Sequence, residues 1–207
     1  MPALTVGFDL DMTLVDSRPG IAAAYRALTA RTGVPVDAEL AVSRLGPPLR
    51  TELAHWFPPD QVESAVRVYR ELYPAYAITP TLLLPGAREA IDAIRTRGGR
   101  VLVVTSKIGR LARLHLDHLG LAVDELAGDL FAEQKATALR EHGATHYVGD
   151  HVADMAAAAA AGVPGIGVAT GPCSSAELRA AGAEVVLDEL TEFPAALDGM
   201  IQLALEQ

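Results

Sequence analysis

The chain alternates between short apolar runs and longer stretches in which apolar residues recur at helical spacing. Leu4–Phe8 reads LTVGF, Arg100–Thr105 reads RVLVVT, Thr145–Gly149 reads THYVG, Gly165–Ala169 reads GIGVA and Glu184–Leu187 reads EVVL; a weaker run lies at Val123–Ala127. Near-continuous apolar runs rich in β-branched residues predict strands buried on both faces, which is the pattern of a parallel sheet. Between them, Ala87–Arg97, Arg110–Leu119, Lys135–His142, Met155–Ala161 and Ser175–Ala181 read as helices. Glycines stand just past their ends, at Gly98–Gly99, Gly120, Gly143, Gly162 and Gly182, as helix C-termini prefer. The alternation predicts an α/β fold, a doubly wound parallel sheet covered by helices. The six alanines at 156–161 predict a helix lying close on the sheet, because Ala favours helix and adds little bulk.

The stretch from Arg18 to about Leu83 breaks this rhythm. Ile21–Arg31, Ala38–Leu45, Leu49–Trp56 and Gln61–Tyr76 read as helices, parted by Gly33–Val34–Pro35, Gly46–Pro47–Pro48 and Pro58–Pro59. No strand pattern intervenes. The stretch predicts a helical lid inserted after the first strand, with hinges at Val15–Arg18 and Ile78–Pro85. The predicted division is 1–15 with 84–207 for an α/β core, and 16–83 for the lid.

Composition narrows the function classes. The 207 residues, half of them hydrophobic, suit one domain with a small lid. A net charge of −9 argues against nucleic acid or an anionic membrane as the main partner. The single cysteine, Cys173, excludes an intrachain disulfide framework and suits a reducing compartment. No uncharged run approaches the ~20 residues of a membrane helix. No basic segment followed by a long apolar stretch opens the chain, so no secretory signal is expected. Asn is absent, and with it any N-glycosylation acceptor. The expectation is a cytoplasmic protein, monomeric or homodimeric.

Asp9 and Asp11 carry the most chemistry. In a strand, residues i and i+2 face the same side, so two acids ending the first strand face one spot at the carboxyl edge of the sheet. That edge is where open α/β sheets bind ligands. Close carboxylates repel and are penalised by burial unless a cation or a shared proton relieves them. Three later segments add to the same edge. Thr105–Ser106–Lys107 offers hydroxyls and backbone N–H groups suited to an anion. Lys135 opens a helix. Gly149–Asp150–His151–Val152–Ala153–Asp154 brings two more acids four residues apart. Carboxylates and a phosphate suit Mg²⁺, which takes hard oxygen ligands and keeps several waters. The chain has fifteen Arg but only two Lys, Lys107 and Lys135, and both fall where a phosphate is expected. His115, His118, Trp56 and Phe57 read as packing residues, and His151 as a packed or solvent-facing one.

With these residues in place, the chain resembles a haloacid dehalogenase superfamily phosphatase with a helical cap of the first type, over essentially its full length. Asp9–Ser17 matches that family's first motif, DxDxT followed by LxDS. Thr105–Ser106 matches the second, Lys135 the third, and Gly149–Asp150 with Asp154 the fourth. Within the superfamily it is most similar to phosphoglycolate phosphatase-like proteins. It departs from the common pattern at Met12, where Gly is usual, at Ser106, where Asn is usual, and at Ala136, where Pro is usual.

The resemblance implies a Mg²⁺-dependent phosphatase acting on a small phosphorylated metabolite through an aspartyl-phosphate. Asp9 would be the nucleophile and Asp11 the general acid and base. Asp9, the backbone carbonyl of Asp11, and Asp150 would hold the metal, with Asp154 supporting the site from outside and Thr13 fixing the loop. Thr105, Ser106 and Lys135 would bind the phosphoryl oxygens. The lid would select the substrate, its Gly46–Pro47–Pro48 turn facing the site and Arg44 or Arg50 touching a second anionic group; Lys107 is a further candidate substrate contact. A phosphomutase of the β-phosphoglucomutase kind would use the same motifs. A non-catalytic phosphoryl-binding protein would have no use for Asp11.

Overall fold

The computed structural model describes residues 3–205. Strand β1 (Thr5–Phe8) leads into β2 (Val15–Asp16). Four helices follow: α1 (Arg18–Thr32), α2 (Ala38–Val42), α3 (Leu49–Leu53) and α4 (Val62–Tyr76). Then come β3 (Leu82–Leu83), α5 (Ala87–Thr96), β4 (Arg100–Val104), α6 (Gly109–His118), β5 (Glu125–Ala127), α7 (Glu133–Glu141), β6 (His146–Gly149), α8 (Val152–Ala161), β7 (Gly165–Val168), α9 (Ser175–Ala180), β8 (Val185–Leu187) and α10 (Phe193–Leu205).

Six strands form one sheet in the order β5-β4-β1-β6-β7-β8, and every pairing is parallel. The chain works outward from β1 to one side, then returns to its other side. β1 therefore lies at the point where the winding reverses, and ligands of doubly wound sheets bind outside the carboxyl ends there.

Alternation along the strands sorts the core onto two faces. Val6, Phe8, Val101, Val103 and Val148 pack with Ala90, Ile91 and Ile94 of α5 and Leu197 of α10. Leu102, Val104 and Tyr147 pack with Leu139 of α7 and Ala157 and Ala158 of α8. Ala157 and Ala158 of the alanine run thus lie on the sheet, whereas Ala156, Ala159 and Ala160 are exposed. Phe8 and Phe193 meet at a ring distance of 5.5 Å, within the range of favourable aromatic pairs. Helix α10 was not anticipated from the sequence.

The inserted helices α1–α4 build their own apolar cluster around Ile21, Tyr25, Leu28, Leu53, Val66, Tyr69 and Tyr73, joined by Leu111 of α6. α2 and α3 are shorter than the periodicity predicts. The chain past α3 tightens into i→i+3 turns, His55 N–H to Glu52 carbonyl and Trp56 N–H to Leu53 carbonyl, which do not continue an α-helix. The two predicted hinge segments meet: β2 and β3 pair antiparallel, Val15 with Leu83 and Asp16 with Leu82. Entry to and exit from the insert are thereby tied side by side.

Candidate active site

Asp9 directly follows β1. Its N–H donates to the Val148 carbonyl at 2.9 Å, and its Oδ1 accepts from the Leu10 N–H at 2.8 Å. The chain then turns through Met12 with φ 59°. That left-handed conformation costs a non-glycine residue roughly 1–2 kcal/mol. It explains why Gly is usual at this position, and the buried Met12 side chain offsets the cost here by apolar packing.

Asp9, Asp150 and Asp154 are buried with carboxylate oxygens within 4.8 Å of one another. Lys135, also buried, donates to Asp154 Oδ1 at 2.7 Å and to the Tyr147 hydroxyl at 3.1 Å, and stands 3.2 Å from Asp9 Oδ1. The Thr13 hydroxyl donates to Asp150 Oδ1 at 2.9 Å. Asp154 Oδ2 accepts from the His151 N–H at 3.2 Å, and His151 Nδ1 accepts from the Ala153 N–H at 3.1 Å. His151 thus caps α8 in a reciprocal box with Asp154, which the sequence reading did not foresee.

Burial pushes the Asp9 carboxyl up to about 7 against the opposing pull of Lys135. Burial, together with the Asp9 and Asp154 charges, also holds Asp150 well above the carboxylate range. Burial alone would lower Lys135, but Asp154 and Asp9 outweigh it and keep the ammonium above the usual lysine range. Three buried carboxylates thus face one ammonium. The donors are all hard oxygens, with no thiolate or imidazole among the three. Such a set fits a hard divalent cation, which would relieve the mutual repulsion.

Asp11 lies in a second cluster. Lys107, which follows β4, donates to Asp11 Oδ1 at 2.6 Å and to the Tyr73 hydroxyl at 2.7 Å. Tyr73 Oη lies 2.9 Å from His115 Nε2. Burial would raise the Asp11 pKa, but the Lys107 charge and His115, with the hydrogen bond from Lys107 and the nearby Ser17 hydroxyl, together outweigh it and hold the carboxyl below its ordinary value. Lys107 lines the cleft, as expected of a substrate contact, but its ammonium is already engaged by Asp11 and Tyr73. His115 and Tyr73 were missed as site residues. A histidine on an apolar helix face gives no sign of its partner, and Tyr73 comes from the insert.

Thr105 is buried, and its hydroxyl accepts from the Lys107 N–H at 3.2 Å. It does not line the cleft, whereas Ser106 does. The Ser106 hydroxyl donates to the Gly46 carbonyl at 3.3 Å. The Gly46–Pro47–Pro48 turn therefore sits on the carboxyl edge of the sheet, and a cleft of about 440 Å³ lies between the turn and Asp9 and Asp11.

Tyr25, Tyr69 and Tyr73 line this cleft together with Arg44, Arg50 and Arg70. Arg44 donates to both oxygens of Glu52 at 2.6 and 3.1 Å, and Trp56 Nε1 donates to the same carboxylate at 2.8 Å. Arg50 pairs with Glu63 on the outside. Arg70 reaches Asp129 across the mouth at 3.5 Å, a link between α4 and the loop before α7 that sequence reasoning did not find. It also missed Gly171, where a Cβ would fall 1.8 Å from Asp150 Oδ2.

Comparison with known proteins agrees with this picture. The sequence model of the haloacid dehalogenase-like hydrolase family matches residues 6–159. A phosphoglycolate phosphatase from Chromobacterium violaceum is 30% identical over 90% of this chain and 93% of its own. The protein described as "Probable phosphatase IndB" from Dickeya dadantii is 30% identical over 95% of this chain and 94% of its own. Among solved structures, the haloacid dehalogenase-like family hydrolase SP0104 from Streptococcus pneumoniae superposes with a TM-score of 0.82 at 25% identity, covering 97% of this chain and 99% of the other.

Proposed function

The chain belongs to the haloacid dehalogenase-like hydrolase family, and on that premise we propose that it is a Mg²⁺-dependent phosphatase of small phosphomonoesters, phosphoglycolate phosphatase-like, that works through an aspartyl-phosphate on Asp9. One observation carries the reading: a buried Asp9 shares a cleft with Asp11 while Lys135 stands 3.2 Å from its carboxylate.

A carboxylate oxygen of Asp9 attacks phosphorus as the bond to the leaving oxygen breaks. Asp11, held below its ordinary value beside Lys107 in the free protein, takes up a proton as the phosphorylated substrate binds and gives it to that oxygen, releasing the alcohol. Asp11 then takes a proton from water, whose oxygen attacks the aspartyl-phosphate; phosphate leaves and Asp9 is restored. Lys135 screens the approach of an anionic phosphoryl group to the Asp9 carboxylate, and Ser106 offers it a hydroxyl. Thr105, whose hydroxyl faces backbone, acts by shaping the loop that presents the Ser106 side chain. Mg²⁺ would be held by Asp9, Asp150 and the Asp11 backbone carbonyl, and would supply positive charge against the phosphoryl oxygens. Asp154 supports the set through Lys135 and His151, and Thr13 through Asp150. Residues 16–83 act as a cap on the core of 1–15 and 84–207, excluding water when the Gly46 turn is seated.

The test is phosphate release from a panel of phosphometabolites, with and without Mg²⁺, by wild type and Asp9→Asn. Mg²⁺-dependent release that disappears in Asp9→Asn supports the reading. Release that survives in Asp9→Asn removes Asp9 as the nucleophile.

A further inference from the structure

Tyr25, Tyr69 and Tyr73 form a row of rings across the inserted helices, with centres 4.8 Å and 5.5 Å apart. All three line the cleft. At one end of the row the Tyr73 hydroxyl accepts from Lys107, which also holds Asp11. The other two hydroxyls differ. Neither has a hydrogen-bond partner among the described residues, although Tyr25 and Tyr69 are only 3% and 4% exposed. The sealed side-chain polar atoms without a partner among the described residues are Ser17 Oγ and His115 Nδ1, so the two phenol oxygens reach the open space of the cleft. A phenol hydroxyl both donates and accepts, and leaving one unpaired away from water is costly. A hydroxyl on a ligand satisfies both capacities.

Charge points the same way. Four cations line the cleft, and each is already on a carboxylate: Arg44 on Glu52, Arg50 on Glu63, Arg70 on Asp129 and Lys107 on Asp11. A leaving group with its own carboxylate therefore finds no uncommitted cation among the described residues that line the cleft. It would also stand in the field of Asp11, Glu52 and Asp129, where poor solvation leaves the repulsion weakly screened. The cleft of about 440 Å³ falls in the range of about 300–1,000 Å³ usual for ligand sites. Ile21, Leu45, Leu49 and Leu111 join the tyrosines in its wall, and they suit the C–H faces of a neutral molecule.

We propose that Tyr25 and Tyr69 are specificity-determining residues whose hydroxyls bind a neutral, hydroxyl-bearing leaving group. The cleft then takes polyol or sugar phosphates and discriminates against esters whose alcohol carries a carboxylate. This rests on the phosphatase reading and narrows it: the likeness to phosphoglycolate phosphatases extends to the phosphoryl chemistry and not to the leaving alcohol.

The experiment measures kcat/KM of the full chain, in Mg²⁺, for two pairs of esters that differ only in CH₂OH against a carboxylate: glycerol 3-phosphate with 3-phosphoglycerate, and sorbitol 6-phosphate with 6-phosphogluconate. Ethyl phosphate, which has neither group, reports the phosphoryl chemistry. Wild type is expected to favour the polyol member of each pair by about tenfold or more. Tyr25→Phe and Tyr69→Phe each keep the ring and remove one hydroxyl. In each, the ratio of kcat/KM for the polyol phosphates to that for ethyl phosphate is expected to fall roughly threefold to tenfold. Thermal unfolding is expected to be unchanged, because neither hydroxyl has a protein partner to lose; a lowered melting temperature in both variants makes the hydroxyls structural and overturns the proposal. If one variant fails to fold, the other and the wild-type comparison decide. An acid preferred over its polyol, or a ratio unmoved in both variants, overturns the proposal while release from ethyl phosphate keeps the phosphatase reading. Release from other phosphometabolites but from neither polyol phosphate overturns it as well. Release from no ester at all removes the phosphatase reading and this inference with it.

Discussion

Gly46 of the inserted helices lies against His151 at the carboxyl edge of the sheet: a Cβ built at Gly46 would stand 2.8 Å from His151 Cδ2. The same residue has φ 126°, a conformation open to glycine and strained for any other residue. Gly46→Ala therefore meets both a backbone and a contact obstacle. The expected result is a stability loss of roughly 1–3 kcal/mol, together with a lower kcat/KM because the turn no longer seats on the core. Thermal unfolding and steady-state kinetics on one preparation check it. A variant as active as wild type would show that the turn can move aside at no cost.

Thr13 donates to Asp150 Oδ1 from 137 positions away in the chain. Thr13→Val keeps the shape and deletes the donor, so nothing holds that oxygen in the orientation the cation needs. Partners of this kind typically change metal affinity or activity about 10- to 100-fold. The expected outcome is a half-saturating Mg²⁺ concentration raised by about tenfold, with wild-type turnover at saturation. Titration of activity with Mg²⁺ reads this directly.

His115 is neutral in the folded protein. Burial pushes its pKa down to about 3, and the Lys107 charge adds to that, against a smaller opposing effect of Asp11 and with His118 contributing in the same direction as Lys107. An unfolded chain protonates histidine near 6.5. Between those values the unfolded state binds the extra proton, so stability is full above about pH 6.5 and declines as pH falls toward 3. At pH 5 the loss is about 2 kcal/mol. Urea unfolding of wild type and His115→Gln at pH 7 and pH 5 tests it; the difference between the two proteins should shrink by about that amount at the lower pH.

Arg44 lines the cleft, but its guanidinium is held on both oxygens of the buried Glu52. Arg44→Met should cost roughly 2–3 kcal/mol of stability, because Glu52 is left with Trp56 alone in a poorly solvated place. KM should change by less than about threefold. A large rise in KM with little loss of stability would instead make Arg44 a direct contact for an anionic substrate group.

Much of the candidate site is legible in the sequence because strand ends are. Asp9, Ser106 and Asp150 each follow an apolar run, and in a doubly wound sheet the carboxyl ends of such runs fall on one edge. The glycines past the helix ends are legible for a similar local reason, and Gly98, Gly120, Gly143, Gly162 and Gly182 all take positive φ. Other features have no local signature. The β2–β3 pairing joins two-residue strands, too short to show a period. Gly171 and Asp150 are neighbours only through loops that meet at the sheet edge.

Lys107 and Lys135 show the division most clearly. Composition and position make both lysines candidates for a phosphate site, since each follows a strand or opens a helix at the carboxyl edge of the sheet. The sequence by itself therefore determined the fold, the edge, and the acids and bases gathered there, because hydrophobic periodicity and strand-end placement are local properties. Only the tertiary structure decided the partners: Lys135 with Asp9 and Asp154, Lys107 with Asp11 and Tyr73. Which carboxylate a buried ammonium meets depends on how helices from distant parts of the chain pack over one edge, and the interaction becomes strong only once that packing has removed the water.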